Sequence, residues 1–430
     1  MVAQKGFEAT VFKSHLLIFY AMTVLNLVKN RISPQQLFML SALLVNGGNY
    51  IYNLLLGRIL GPEAFADAAL LVTLLLVLSF LGMTFQLVTA KFVATLPSDQ
   101  WDVFRNRIGA FALLIGCLLG AVVFFSAPML QNILHTENAL MFRIFAVGVP
   151  IYFVMSVNRG QYQGEESFAK LAISYQLEMW GRLGITLLAF LVIRDHFGAL
   201  VSFGILVSLV FGLFPYKKLS LAKTAKAPIG LEWSKVRSFM LITAGYELTQ
   251  IIINNSDIIL VKHFFEAQEA GLYASLALIG RVVYFVAWMF VMLLLPTVVR
   301  LKKEGKPTGH ILFKYVGYIG LLSTAIVLAC ALFPELIITL LFGDAYLSMA
   351  SLLWQYALAT SLFAVANIFT YYFLSLDHYK PILFSAVMGV SQIVLIVLFH
   401  SSLAMVVQLQ ILVMLVLLAV QILYFLSHRR

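Results

Sequence analysis

The chain is written in apolar blocks of about twenty residues separated by short polar stretches, and no other feature limits its fold so strongly. A block of that length crosses ~30 Å of hydrocarbon as a helix rising ~1.5 Å per residue. In lipid every backbone amide must be bonded within its own helix or within a closed barrel. Barrel strands read as short alternating segments, whereas these blocks are continuous. The reading is an all-α, polytopic membrane protein of about twelve transmembrane helices. Composition agrees: 62% of the 430 residues are hydrophobic and 11% charged, against roughly half and a quarter in a soluble domain.

Spans are expected at 36–57, 66–88, 108–127, 139–158, 171–192, 198–215, 237–259, 271–296, 310–332, 349–375, 381–399 and 403–426. Ser33-Pro34 suits the start of the first, since serine caps and proline fits the first turn. Gly61-Pro62 breaks the chain before the second, and Pro128, Pro215 and Pro334 sit near the ends of spans 3, 6 and 9.

The loops between these spans alternate in charge. Alternate loops and the two termini hold 22 of the 29 lysines and arginines, while the other loops hold Arg58, Arg194 and Lys262. The rich set includes Lys91, Arg105 and Arg107, Arg159 and Lys170, and six cations between Lys217 and Arg237. The positive-inside rule makes that side cytoplasmic, with both termini on it. The net charge of +10 is thereby explained without nucleic acid. A cysteine introduced at Thr224, in the densest basic loop, should react with an impermeant reagent only after the cell is opened.

The domain reading follows. Residues 1–35 form a cytoplasmic N-terminal extension whose apolar run, Leu16 to Val28, is short for a span and lacks a cleavage site, so it reads as an interfacial helix. Residues 36–215 form one six-helix lobe, 216–236 a basic cytoplasmic linker, 237–426 the other lobe, and 427–430 the cytoplasmic C-terminus. A faint repeat supports two lobes. Leu60-Gly61-Pro62-Glu63-Ala64 and Phe265-Glu266-Ala267-Gln268-Glu269 each follow a long span, and the same shift pairs Asn49 with Asn254. An even number of helices per half makes such a repeat parallel, with a pseudo-two-fold axis along the membrane normal.

Ionisable groups inside the spans are the functional candidates, since charge at mid-bilayer is costly unless paired or hydrated. Lys314 lies near a membrane surface and can snorkel, and Arg143, one turn inside its span, can do the same. Arg182 and Arg281 cannot readily do so. Arg182 has Glu178 one turn away, but Arg281 has no carboxylate at helical spacing, so its partner comes from another helix or a ligand. Span 7 carries Glu247, Gln250, Asn254 and Asp257 on one face, and span 1 carries Asn46, Asn49 and Asn53. These amides either glue helices together or line a hydrophilic cavity between lobes. Cys117 and Cys330 lie in apolar blocks and suggest neither a disulfide nor a metal site. No HExxH or Walker A sequence appears, and the reading calls for no catalytic residue, metal or cofactor.

Three stretches resemble one family. Asn53 to Phe65, containing Gly57-Arg58-Ile59-Leu60-Gly61-Pro62-Glu63-Ala64-Phe65, is similar to a signature of polysaccharide flippases. Asn255-Ser256-Asp257 through Lys262, followed by Glu269-Ala270-Gly271-Leu272-Tyr273, resembles their helix 7–8 junction. Pro334-Glu335-Leu336 through Phe342-Gly343-Asp344-Ala345-Tyr346 resembles the segment after their helix 9. The resemblance spans about 36–426, to the multidrug/oligosaccharidyl-lipid/polysaccharide exporter superfamily, with Asp67 and Ala68 as departures. It implies a non-enzymatic flippase for undecaprenyl-diphosphate-linked oligosaccharide in a bacterial inner membrane, working by alternating access. Its partners would be that lipid-linked sugar, membrane lipids, and a polysaccharide polymerase and glycosyltransferases. Arg281, Arg182 and Arg143 would then meet the diphosphate, since arginine offers phosphate a planar fork of donors. Glu247, Asn49, Asn254 and Asp257 would line the path, and Tyr246, Tyr284, Trp180 and Trp288 offer faces to sugars. A cation-coupled multidrug antiporter of the same superfamily, with Glu247 as its ion site, is the alternative. A membrane glycosyltransferase or polymer ligase is more remote, because no long outer loop exists to carry catalytic residues.

Overall fold

In the computed structural model the chain is all helix and loop among the described residues, which are 34–193, 195–216, 232–376, 378 and 380–428. The N-terminal extension up to residue 33, most of the linker and the last two residues lie outside them. In the second half of the long helix Ala267–Lys303 few side chains are described, so Trp288 is also outside.

Gly61 divides the first helical stretch. Its φ of 71° and ψ of 172° leave the helical region, and Pro62 follows. Glycine tolerates that φ, and a residue before proline is driven out of the α region. The break separates α1 (34–60) from α2 (62–93). Then come α3 (Trp101–Phe125), α4 (Ala127–Ile133), α5 (Leu140–Gly164), α6 (Phe168–Val192) and α7 (Phe197–Gly212). The second half has α8 (Trp233–Phe264), α9 (Ala267–Lys303), α10 (Gly309–Leu332), α11 (Pro334–Leu341), α12 (Ala350–Ser375), α13 (Lys380–Leu398) and α14 (Leu403–Ser427). Twelve of these fourteen coincide with the expected spans. Helices α5 and α9 run further than expected, to Gly164 and Lys303.

The two extra elements correct the expected loops. Pro128 and Pro334 do not simply follow spans 3 and 9. They open the short helices α4 and α11, in the first turn where a missing N–H costs nothing. Each half thus has the same order: two long helices, a span, a short proline-started helix and three more spans. That order is consistent with the parallel repeat.

Among the described residues, seven helical stretches are long and apolar enough to cross a membrane, and the one at Gln36–Val93 holds both α1 and α2. The more polar α6, α8 and α9 carry Glu178, Arg182, Glu247, Asp257, Lys262 and Arg281, while Asp67, Arg105 and Arg159 are buried charges on α2, α3 and α5. Helices of the first half pack on one another, notably α3 on α5 and α6 on α7; in the second, α12 packs on α9, α10 and α14. The halves meet where α1 and α2 face α8 and α9. Gly271 there approaches Pro62 so closely that an added Cβ would fall 1.7 Å from the Pro62 carbonyl oxygen. The chain is a multi-pass membrane protein.

Candidate functional site

Two polar clusters reach mid-membrane depth, one in each half. Asn49 on α1 and Asn254 on α8 mark them, each about ten residues, roughly 15 Å, before the end of its helix.

In the first half the anchor is α6. Glu178 and Arg182, one turn apart, are both buried, with 3.6 Å between Oε1 and Nη1. Arg182 Nη2 also donates to Asn49 Oδ1, and its guanidinium lies 5.5 Å from the Tyr52 ring centre. Glu178 has a tighter partner that the loop count concealed. Arg159, counted above among loop cations, is inside α5 and only 1% exposed. Its Nη2 donates to Glu178 Oε2 at 2.8 Å, its Nε to Ser174 Oγ at 2.8 Å, and its guanidinium lies 3.9 Å from the Tyr175 ring centre. Two arginines therefore share one carboxylate, and the cluster keeps a net positive charge. The continuous polar run Asn158-Arg159-Gly160-Gln161 was the available signal, because all four are buried in a helix that continues to Gly164.

In the second half the partner of Arg281 comes from another helix. Its Nη2 lies 3.5 Å from Asp257 Oδ1 and donates to the Asn254 carbonyl. Asp257 Oδ2 accepts from Tyr356 Oη at 2.8 Å and Tyr273 Oη at 3.1 Å, and Tyr273 in turn accepts from Gln410 Nε2 at 2.8 Å. Asp257, Arg281, Asn254, Tyr284 and Gln410 line a cavity of about 30 Å³, room for a water or two. A diphosphate needs this space to widen.

The other expected residues divide. Asn254 turns its amide back to the Gln250 carbonyl at 2.9 Å. Glu247 is buried and has neither ion pair nor hydrogen bond among the described residues; the phenols of Tyr246 and Tyr284 are its electrostatic neighbours. Arg143 joins neither cluster. It sits on an exposed face of α5 over Phe124, 5.8 Å from the ring centre, as a snorkelling side chain does. Trp180 is exposed and donates to Gln176 on its own helix. Arg182 bonds to Glu178 and Asn49 of the first half, and Arg281 to Asp257 and Asn254 of the second.

At the end of the molecule nearest α4 and α11 the halves are fastened together. Lys262, counted above as an outer-loop cation, is 2% exposed, and its Nζ lies 2.8 Å from Asp67 Oδ1. The same Nζ donates to the His135 carbonyl at 3.2 Å, and the Glu137 amide donates to Asp67 Oδ2 at 3.0 Å. Tyr346 Oη donates to the Gly57 carbonyl at 2.7 Å. At the opposite end the first turns of α8 lean on the first half, with Trp233 stacked on Phe104 and Phe239 against Phe92.

A family model described as "Polysaccharide biosynthesis protein" matches residues 55–351. No curated protein matches the chain. Among solved structures it is similar to the lipid II flippase MurJ in an inward closed conformation, with a TM-score of 0.73 at 12% identity over 91% of this chain and 87% of that one. An inward-facing multidrug resistance MATE family transporter of the MOP superfamily gives 0.68 at 12% identity over 88% and 94%. An outward-facing transporter of that description gives 0.52 at 14% identity over 92% and 95%.

Proposed function

We propose, from the premise that the chain belongs to the polysaccharide biosynthesis protein family, that it is an alternating-access flippase. Its cargo is undecaprenyl-diphosphate-linked oligosaccharide, an O-antigen, capsule or exopolysaccharide repeat unit, and its membrane the bacterial inner membrane with both termini cytoplasmic. The observation that carries the reading is the pair of mid-membrane arginines, one per half, each held at a repeat-related asparagine. Fixed cations at that depth serve an anion that must cross hydrocarbon. Guanidinium groups suit a diphosphate because they give parallel donors and stay charged.

The fastened end, near α4 and α11, is the outer one by the distribution of cations. Outer closure, together with the better fit to the inward-facing than to the outward-facing relative, supports an inward-facing or inward-closed state. The test is reconstitution in liposomes with a defined lipid-linked oligosaccharide. The sugar should pass from the face open to an impermeant glycosidase to the protected face. Lipid-linked sugar that stays put, while a cationic drug moves with an ion gradient, would overturn the reading.

That second outcome belongs to the cation-coupled antiporter, and one observation favours it: a buried carboxylate, Glu247, without a counter-charge among the described residues. Such a group can take up a proton or cation as its environment changes. Glu247→Gln separates the two. An uncoupled flippase should keep its rate, whereas an antiporter should lose its dependence on the ion gradient.

A further inference from the structure

A second cavity, of about 330 Å³, opens on the lipid-facing side of the first half between α3, α5 and the end of α7. Beside it on α3, Leu114 and Leu118 are more than half exposed, as apolar residues facing hydrocarbon are. The lining is apolar, with Leu113, Cys117, Pro150, Ile151 and Val154, apart from Asn158 and Tyr216 at one end. Asn158 is 4% exposed, and its Nδ2 has no hydrogen-bond partner among the described residues. A buried donor left unpaired is unfavourable, and an acceptor in the groove would relieve it. The enclosed nitrogen reaches the groove by a half-turn of the amide, which exchanges it with the oxygen; an unpaired carbonyl oxygen in the enclosed place is the better tolerated of the two.

Depth identifies the acceptor. Asn158 lies roughly 27 Å along α5 from Leu140, close to the far surface of a ~30 Å hydrocarbon layer. Pro150 is near the middle. The groove therefore runs from the membrane surface on the linker side, marked by exposed Tyr216, towards the midplane. An apolar channel with an unpaired amide donor at ester depth matches a phospholipid acyl chain and its ester carbonyl. A bare polyprenyl tail or the apolar side chains of a second copy would leave the donor unpaired.

We propose that this groove binds one acyl chain of a phospholipid of the linker-side leaflet, with the ester carbonyl accepting from Asn158. The site rests on the chain's place in the bilayer and is independent of what the protein transports. The test uses the full-length protein in ether-phospholipid vesicles containing a trace of ester-linked phosphatidylcholine with a diazirine at mid-chain. After irradiation, adducts should concentrate on Leu113, Cys117, Ile151 and Val154 and fall several-fold in Asn158→Leu. On the unsubstituted protein, unlabelled ester phospholipid should suppress them several-fold better than its ether-linked counterpart, which has no carbonyl. Adducts spread evenly over exposed positions such as Leu114 and Leu191 would overturn the proposal. So would equal competition by ether and ester lipids, or cross-links to a second copy in place of lipid.

Discussion

Arg281→Ala should abolish flipping of lipid-linked oligosaccharide, lowering the rate more than about tenfold, or ~1.4 kcal/mol of barrier, while the protein still inserts and accumulates. The guanidinium is 12% exposed beside Asp257 at 3%. A purely structural account is available: the arginine neutralises a buried carboxylate, and removing one member of such a pair is costly because the other is left charged. The structure offers a way to separate the accounts. Asp257 keeps two phenol donors, Tyr273 and Tyr356, whatever happens to Arg281. Arg281→Ala combined with Asp257→Asn therefore removes both charges and leaves the site neutral and hydrogen-bonded. If Arg281 only balances Asp257, the double variant should flip as the unsubstituted protein does. If Arg281 holds the diphosphate, the double variant should be stable and still inactive. Arg281→Lys should rescue only in part, since it keeps the charge and loses the bidentate fork. Normal flipping by Arg281→Ala alone would remove the anchor from the mechanism.

The spans were legible because hydrocarbon thickness dictates block length, and Gly61-Pro62 was legible because backbone geometry leaves a helix no other course there. The Glu178–Arg182 contact was legible for the same local reason, helical spacing. Long-range pairings were not. Arg159 sits one turn from the end of α5, where a cation ordinarily belongs to a loop, and only the packing of α6 and α7 around it encloses it: Ser174 bonds both its Nε and the Gly212 carbonyl. Lys262 and Asp67 come from different halves, and no spacing within the chain relates them. The repeat fared better at the level of elements than of residues. Asn49 meets its arginine through its side chain and Asn254 through its backbone, so similar helices carry different contacts.

Lys262→Ala should release the end of the protein nearest α4 and α11. The ammonium it removes is fixed three ways: by Asp67 on α2, by the His135 carbonyl between α4 and α5, and by its own place near the end of α8. The pair is almost wholly buried, at 2% and 10% side-chain exposure, so water and salt screen it little. In the proposed alternating-access cycle, opening at this end separates α8 from α2 and breaks this pair, which makes it part of the barrier between the two states. Its loss leaves Asp67 charged and, among the described residues, held by the Glu137 amide alone, at a cost of about 3–5 kcal/mol in the closed state that hydration in the open state would relieve. A shift of even ~1.4 kcal/mol changes the ratio of states tenfold. Spin labels on Glu63→Cys and Glu269→Cys, both exposed at this end, report it, with Cys117 replaced by serine because it too is exposed. The distance between labels should lengthen in Lys262→Ala. It should return towards the closed value when Asp67→Leu is added, because the orphaned carboxylate is then gone and apolar packing can replace the pair. An unchanged distance in Lys262→Ala would mean that Gly271 against Pro62 and Tyr346 against Gly57 close this end unaided.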